Sequence, residues 1–299
     1  MSRWIRRSLI TLCALALVAA AASAAVLMRA DQRLLQRHGL AVSPVAIRSD
    51  SAALERGHYL FDSLGCAGCH GADGAGKLMW QNGSNRLVAP HIAPGRNSST
   101  AGYGAVDWVR AVRHGVRPDG TALLMMPSVD FNRLSDDDVG ALVGYIVQLP
   151  PVDHDPGRHQ LGVLMKALIG LGRMPLAPDP IDHSLPPSIP VPATVSLEHG
   201  RYVAQTCVGC HGALLTGGPI PGMPPGTPPA ANLTPGAGHA ISAYRDVAAF
   251  QAMLRTGKRP DGSDVAVMPF PSLSRLNPTD TAALFLYLRS LPSRATPAG

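Results

Sequence analysis

A five-residue motif, Cys-x-x-Cys-His, occurs twice in this chain and constrains its fold more than any other feature. The two copies consist of Cys66, Cys69 and His70, and of Cys207, Cys210 and His211. This spacing is typical of covalent haem attachment. Two thiols one helical turn apart can add across the two vinyl groups of a porphyrin, and the adjacent histidine can bind the iron. One copy alone would also suit a zinc or redox dithiol site, but two copies followed by the same further signals predict two covalently bound haem c groups.

The composition fits small helical domains built around such groups. The 299 residues include 31 glycines and 28 prolines but only 5% aromatic residues, which predicts an all-α fold of short helices joined by long ordered loops. Four of the five cysteines belong to the two motifs, so a structural disulfide would dismantle them. The fifth, Cys13, lies in an apolar run, and we interpret it as a small apolar residue rather than a lipid attachment site.

The charge of the chain does not favour nucleic acid as a partner. The formal net charge is +6, but three of the positive charges come from Arg3, Arg6 and Arg7, ahead of the apolar run. The remaining excess is small, and it is not clustered with aromatic residues. We therefore predict no binding to nucleic acid.

The N-terminus predicts a membrane segment. Residues 8–28 are 21 residues without a charge, longer than the apolar region of a secretory signal and close to the ~20 residues that span a bilayer. The arginines before them should stay inside. We therefore expect an uncleaved anchor in a bacterial inner membrane, with the remainder in the periplasm. The alternative is a soluble periplasmic protein, released by cleavage after the small residues at 22–24.

The chain contains a duplicated module. The two motifs are offset by 141 residues, and the Met-Pro pairs that follow them, at Met126 and Met268, are offset by 142. Repeats of this length indicate tandem domains rather than a solenoid. The predicted organisation is an anchor at 1–30, a linker at 31–50, a first domain at 51–152, a proline-rich linker at 153–194, a second domain at 195–294 and a tail at 295–299.

Each module predicts three helices in the same order. The first helix should be capped by Ser51 or Ser196, and the middle helix should begin at Asp107 or Asp246. The last helix is predicted from Ser135 to Leu149 and from Asn277 to Leu291, each stopped by a proline. Gly57 and Gly200 lie inside the first helices at a cost of about 1 kcal/mol each. We expect the last helix of each module to cross closely at these glycines.

Met126 and Met268 are the predicted sixth ligands, because each precedes a proline at matched positions of the repeat. A thioether favours ferrous iron, and closing the sixth position suits electron transfer. Met125 is the rival in the first copy. Arg117 and Arg259 recur before a turn and could bind either a haem propionate or the turn itself.

The other histidines are weaker candidates for ligands. His91 is interpreted as a loop residue that forms hydrogen bonds, and His114 as a surface residue that compensates a helix dipole. Six more have no repeated counterpart and are expected to be exposed: His58, His154, His159, His183, His199 and His239.

The linker between the modules contains an apolar stretch at 161–171 that is too short to span a membrane. It could lie at the membrane interface or pack against the domains and a partner. Few cations lie near it to bind lipid headgroups, so packing is favoured.

These residues resemble the class I cytochrome c family. Both modules are similar to the cytochrome c modules of membrane-bound bacterial alcohol and aldehyde dehydrogenase complexes. The resemblance rests on the attachment motifs and on four stretches of the second module at 232–235, 254–257, 259–262 and 268–271. The first module departs from the pattern at 91–94 and after Pro127. The resemblance implies two tandem cytochrome c-like domains with His/Met ligation, in which His70, Met126, His211 and Met268 bind iron.

The resemblance implies a dihaem electron carrier rather than an enzyme. Its partners would be a dehydrogenase and an acceptor, which could be a quinone, a soluble cytochrome or an oxidase. We find no convincing catalytic residue. A dihaem peroxidase is the alternative, but it needs an iron with an open sixth position, which the two Met-Pro pairs oppose. A haem subunit of a terminal oxidase is a further alternative.

Overall fold

The computed structural model describes residues 3–224 and 226–297, and it confirms the mainly helical fold. The chain begins with α1 (Arg3–Leu35), a helix of 33 residues whose side chains are almost all exposed. By length and composition, α1 is the one helix among the described residues that could cross a membrane. At 1.5 Å per residue it is about 50 Å long, so it extends beyond a 30 Å hydrocarbon core.

The first module follows a short extended segment. Its elements are α2 (Ser51–Ser63), α3 (Cys66–His70), β1 (Lys77–Asn82), β2 (Asn85–Ala89), α4 (Ala105–His114), α5 (Ser128–Phe131) and α6 (Asp136–Ile146). The antiparallel pair β1–β2 was not predicted, because the stretch reads as a Gly-rich loop. Residues that favour strands, including Trp80 and Val88, flank an Asn-Gly-Ser-Asn turn and account for the hairpin.

The linker and the second module are also helical. Their elements are α7 (Val163–Gly170), α8 (Leu197–Ala204), a 3-10 turn (Gln205–Cys207), α9 (Val208–His211), a second 3-10 turn (Ala240–Ala243), α10 (Val247–Thr256), α11 (Phe270–Leu273) and α12 (Pro278–Ser290). Apart from the hairpin of the first module and the two 3-10 turns of the second, the modules have the same order of elements.

A helix crossing fixes each module. A Cβ added to Gly57 in α2 would lie 2.1 Å from the carbonyl oxygen of Ala141 in α6. A Cβ added to Gly200 in α8 would lie 2.0 Å from the carbonyl oxygen of Ala283 in α12. Both distances are far inside van der Waals contact. The predicted close crossing at these two glycines is confirmed.

The helix caps were predicted with two errors. The cap of α2 is Asp50, whose carboxylate accepts from the Ala53 N–H at 3.0 Å, and not Ser51. Asp107 is the third residue of α4 rather than its first, and it accepts from the Gly104 N–H at 3.0 Å. The predicted caps Ser135, Ser196, Asp246 and Asn277 are confirmed.

Two apolar cores lie behind the two attachment motifs. The first includes Leu60, Phe61, Trp108, Val112 and Leu142. The second includes Ile241, Phe250, Met253, Leu284 and Leu288. In each core the crossing helices pack against the middle helix and against the first cysteine of the motif.

The two domains meet across a reciprocal hydrogen-bonded interface. Tyr202 of the second domain donates to Oδ2 of Asp138 in the first at 2.6 Å. Tyr59 of the first domain makes the matching contact with Oδ2 of Asp280 in the second. These residues occupy equivalent positions of the repeat, so the two domains are related by an approximate two-fold axis.

A basic side chain completes each half of this interface. Arg56 forms two hydrogen bonds of 2.8 Å with the carboxylate of Asp138. His199 lies 2.7 Å from Asp280, Nε2 to Oδ1, and is only 1% exposed. The prediction that His199 is solvent-exposed is therefore wrong, because it faces the second domain's own interface carboxylate.

Other histidines also depart from the sequence-based interpretation. His114 is buried at the end of α4, with its Nδ1 3.0 Å from Nδ1 of the half-buried His183. Burial, followed by the nearby His183, lowers the pKa of His114 to about 4, so it carries no charge to compensate the helix dipole. His159 is half-buried and accepts from the Val88 N–H. His239 is half-buried too, whereas His58 and His154 are exposed as predicted.

Helix α7 packs on α1 rather than on the second domain. Ile169 of α7 and Ala30 of α1 are both fully buried in a third apolar cluster, with Leu87, Leu124 and Leu176. The expectation of packing against both domains and a partner is met only in part, because this cluster joins α7 to α1 and to the first domain. The opposite face is exposed.

Candidate haem-binding sites

Short helices present the two attachment motifs in the same way. In the first domain α3 holds Cys66 and Cys69 one turn apart and ends at His70. In the second domain a 3-10 turn ends at Cys207, and α9 carries Cys210 and His211. The first cysteine of each pair is half-buried against the core, and the second is exposed. Each motif therefore spans the boundary between the core and solvent, where the edge of a covalently held macrocycle would lie.

The motif histidines have the orientation that an axial ligand needs. Nδ1 of His70 lies 2.8 Å from the carbonyl oxygen of Pro90, and Nδ1 of His211 lies 2.8 Å from that of Ala231. A carbonyl can only accept, so Nδ1 carries the proton in both rings. Nε2 is then left with a free lone pair that can bind a metal. Burial also lowers the pKa of both rings, which keeps them neutral.

The state of the thiols argues against the alternative uses of the motif. Burial raises the pKa of Cys66 and of Cys207 to about 12. A redox dithiol or a zinc site requires a thiolate, which a lowered pKa favours. The raised pKa values of Cys66 and Cys207 therefore do not favour thiol–disulfide exchange.

The methionines chosen from the sequence lie beside the same cores. Met126 is half-buried and packs against the first core, as Cys66 does. Met268 and Cys207 pack in the same manner against the second core. The rival Met125 is 55% exposed and is absent from the residues that pack on the core. This placement favours Met126 over Met125 as the ligand of the first domain.

The loop after each methionine has the same geometry. The Ser128 N–H donates to the Met126 carbonyl at 2.8 Å, and the Phe270 N–H donates to the Met268 carbonyl at 2.9 Å. The prolines between them have φ angles of −79° and −80°. A repeated tight turn of this kind holds the backbone of the methionine in place.

The recurring arginines stabilise turns in the structure. Arg117 donates to the Ala122 carbonyl and to the Thr121 hydroxyl. Arg259 donates to the Asp264 carbonyl at 2.6 Å and to the Ser263 hydroxyl at 3.2 Å. Both arginines therefore make the turn-stabilising contacts that the sequence allowed.

The interface brings each methionine loop against the other domain's attachment segment. Helix α5, which follows Met126, carries Asp130, whose Oδ1 accepts from the Gly209 N–H at 2.6 Å. In the reciprocal position, a Cβ added to Gly65 would lie 2.8 Å from the hydroxyl of Ser272 in α11. The two candidate haem sites are thus neighbours across the interface.

Sequence reasoning missed Asp130. Burial raises the pKa of this carboxyl to about 7, although the hydrogen bond from Gly209 opposes the shift. Its repeat counterpart is Ser272, so the duplication gave no signal. The reciprocal contacts of Tyr59 and Tyr202 could have been suspected, because both tyrosines recur at the same position of the repeat.

His91 occupies an unexpected environment in the first domain. Its carbonyl accepts from the Ser99 hydroxyl at 2.6 Å, but neither ring nitrogen has a partner among the described residues, and the ring is 1% exposed. The predicted hydrogen-bonding role is therefore met by the backbone and not by the side chain. Its counterpart Asn232 donates to the Arg294 carbonyl and accepts from Thr234.

The residues present fit haem c. Each domain offers two thiols one turn apart, an imidazole with a free Nε2 and a thioether on the same core. This donor set matches low-spin haem c with histidine and methionine ligands. The fold and the sites together define a c-type cytochrome with two covalently bound haems.

Comparisons with known protein families lead to the same class. Residues 52–146 match the family described as cytochrome c oxidase, cbb3-type, subunit III, and residues 197–292 match the family described as cytochrome c. The chain is a dihaem cytochrome c with two cytochrome c domains in tandem.

Its relatives include several cytochrome subunits. The fructose dehydrogenase cytochrome subunit of Gluconobacter japonicus is 29% identical over 84% of this chain and 55% of its own length. The cytochrome c subunit of a quinone-dependent alcohol dehydrogenase from Gluconacetobacter polyoxogenes is 29% identical over 60% of this chain and 39% of its own length. A dihaem c-type cytochrome of Cereibacter sphaeroides is 28% identical over 80% of this chain and 86% of its own length. The chain therefore spans about half or less of the two dehydrogenase subunits.

Proposed function

We propose that this chain transfers electrons from a partner dehydrogenase, through its two haems, to an acceptor of the respiratory chain. The acceptor would be a quinone, a soluble cytochrome or an oxidase. The observation that carries the proposal is the reciprocal packing of each methionine loop on the other domain's attachment segment. Two redox centres held side by side by a hydrogen-bonded interface would form a relay within one chain.

The ligand set supports a carrier rather than a peroxidase. Haem c supplies reversible one-electron chemistry at iron when it is bound. In this proposal His70 and His211 would hold the iron through Nε2, and Met126 and Met268 would supply the thioether ligands. The Pro90 and Ala231 carbonyls hold the imidazoles in place. If both residues of each pair bound the iron, no coordination position would remain for peroxide.

A dehydrogenase partner is supported by the relatives. Two of them are named as cytochrome subunits of fructose and alcohol dehydrogenases. Helix α1 would anchor the chain in the inner membrane and hold the haem domains in the periplasm. Cleavage of α1 as a signal would instead give a soluble periplasmic protein.

Carbon monoxide binding to the fully reduced holoprotein tests the carrier function. The expected result is no rapid binding at either haem, because both sixth positions are filled. Rapid stoichiometric binding at one haem would contradict the proposal and would favour a peroxidase. Purification of the chain from its native membranes, followed by identification of the co-purifying subunits, tests the dehydrogenase partner. Co-purification with oxidase subunits alone would refute that partner.

A further inference from the structure

We propose that α7 is a second membrane contact, which lies in the outer interface of the bilayer beside α1 and fixes the first haem domain against the membrane. This inference rests on the proposed role of α1 as an anchor. The surface concerned is the exposed face of α7, formed by Val163, Leu164, Leu168 and Leu171. The occupant that we assign to it is lipid.

The position of α7 along α1 is the first argument. Lys166 of α7 binds Asp31 of α1, Nζ to Oδ1, at 2.7 Å. A Cβ added to Gly170 would lie 2.2 Å from the carbonyl oxygen of Val26. From Lys166 to Gly170 the chain advances by four residues along α7, while the residues contacted on α1 go back by five, from Asp31 to Val26. The two helices are therefore antiparallel. Because α1 would leave the membrane towards its C-terminal end, the C-terminal end of the antiparallel α7 points towards the membrane.

Val26 lies within the uncharged run at 8–28, close to its end. If α1 spans the bilayer with that run in the hydrocarbon, the C-terminal end of α7 lies at the outer edge of the hydrocarbon. The ion pair between Lys166 and Asp31 then lies above it, in the headgroup region. The exposed cations Arg29 and Arg173 are near the same boundary, where lipid phosphates are found.

The composition of the outer face is the second argument. Leu164 is 71% exposed and Val163 is 69% exposed, and Leu168 and Leu171 extend the same apolar surface. On the stretch of α1 that α7 packs along, the apolar side chain of Met28 is also exposed, at 60%. A protein that covered the face of α7 would have to displace the lipid that surrounds the anchor at the same depth. This shared exposure therefore favours lipid over a protein partner.

The third argument is that carbonyl groups in the last turn of α7 accept hydrogen bonds. The Ile169 carbonyl accepts from the Arg33 guanidinium and from the Gly172 N–H. The Ala167 carbonyl accepts from the Leu171 N–H at 2.9 Å, and the Leu168 carbonyl accepts from the Arg173 N–H at 2.9 Å. A helix end with bonded carbonyls can enter a region of low water content at little cost.

Site-directed spin labelling in vesicles tests the proposal. The full-length holoprotein, with Cys13→Ser, is reconstituted into phosphatidylethanolamine–phosphatidylglycerol vesicles with no other protein. Single labels are attached through Leu168→Cys, through Leu17→Cys in the middle of α1 and through Ile189→Cys, an exposed site in the linker. Collision rates with oxygen and with a water-soluble nickel complex then report the depth of each label.

The expected result is a ratio of oxygen to nickel collisions at Leu168→Cys several-fold above that at Ile189→Cys and below that at Leu17→Cys. A water-exposed label at 168 together with a buried label at 17 would overturn the proposal and leave the anchor intact. That outcome would leave the exposed face of α7 free for a protein partner. A water-exposed label at 17 would instead refute the anchor on which the proposal rests.

Discussion

Tyr202 of the second domain donates a 2.6 Å hydrogen bond to Asp138 of the first, and its repeat counterpart Tyr59 makes the matching contact with Asp280. In each half the tyrosine also meets the residue that caps the carboxylate's helix, because the N–H of Ser135 donates to Tyr202 and that of Asn277 donates to Tyr59. Because equivalent residues of the two modules make the same contacts on both sides, the interface is approximately two-fold symmetric.

Replacing Tyr202 with phenylalanine should weaken this interface without opening a cavity. Asp138 would keep Arg56 as a partner, so we expect a loss of about 1–2 kcal/mol in the free energy of unfolding. Chemical denaturation of the holoprotein measures it. Tyr145→Phe is the matched control, because the Tyr145 hydroxyl has no hydrogen bond among the described residues and its ring contacts with His58 and Phe61 would persist. Equal stability of the two variants would contradict the interface.

Gly200→Ala should disrupt the second domain. The added methyl group would overlap the Ala283 carbonyl, and neither backbone can retreat without breaking the crossing of α8 and α12. We expect a loss of about 3 kcal/mol or more. Thermal unfolding followed by circular dichroism is the measurement. Gly39→Ala, at a site where an added Cβ has no neighbour within 4 Å, should leave the melting curve unchanged. Full stability of Gly200→Ala would show that the helices do not cross there.

Removing a ligand methionine should leave the sixth coordination position of one haem iron open. Met126→Ala and Met268→Ala should each lose half of the far-red absorption of the oxidised protein that reports iron–thioether bonding. Each variant should also gain one carbon monoxide site when reduced. Met125→Ala is the control, because its side chain is exposed and lies off the core. If Met125→Ala opened the site and Met126→Ala did not, the ligand assignment in the first domain would be wrong.

Asp130 should make the stability of the protein depend on pH. Burial raises its pKa in the folded state to about 7, whereas an unfolded carboxyl titrates near ~3.9. The folded state therefore holds a proton that the unfolded state releases. The contribution of Asp130 to the free energy of unfolding is fully present below pH ~4 and is lost as the pH rises to about 7. The loss is on the order of 1–4 kcal/mol.

Asp130→Asn keeps an acceptor for the Gly209 N–H and removes the titration. Urea unfolding at several pH values between 4 and 8 should give a flatter profile for this variant than for the wild type. Asp137→Asn, which replaces an exposed carboxylate of α6, should retain the wild-type profile. Parallel profiles for the wild type and Asp130→Asn would mean that the carboxyl is ionised in the folded protein throughout this range.

Much of the fold could be predicted because the duplication repeats every local signal. The prolines that stop the last helices, the glycines at the crossings and the caps at Ser196 and Asn277 are signals that act within a few residues. Errors arose where either of two neighbouring residues could cap the helix, as with Asp50 and Ser51 at the start of α2. Polar residues near each other compete for the same N–H groups, and packing decides between them.

Long-range relationships could not be predicted. His199 looks like a surface residue because the partner that buries it, Asp280, is 81 residues away in the chain. The repeat counterpart of Asp130 is Ser272, which carries no charge, and the Gly209 N–H that Asp130 meets belongs to the other domain. The packing of α7 on α1 depends on how the linker returns to the N-terminal helix, which no local pattern specifies.

The intact mass of the denatured holoprotein tests the central claim most directly, because only covalently attached haem survives unfolding. The account predicts a mass that exceeds that of the polypeptide by two haem groups. It also predicts an excess of one haem group in a variant with both Cys66 and Cys69 replaced by alanine. A wild-type mass with one attached haem or none would contradict the account.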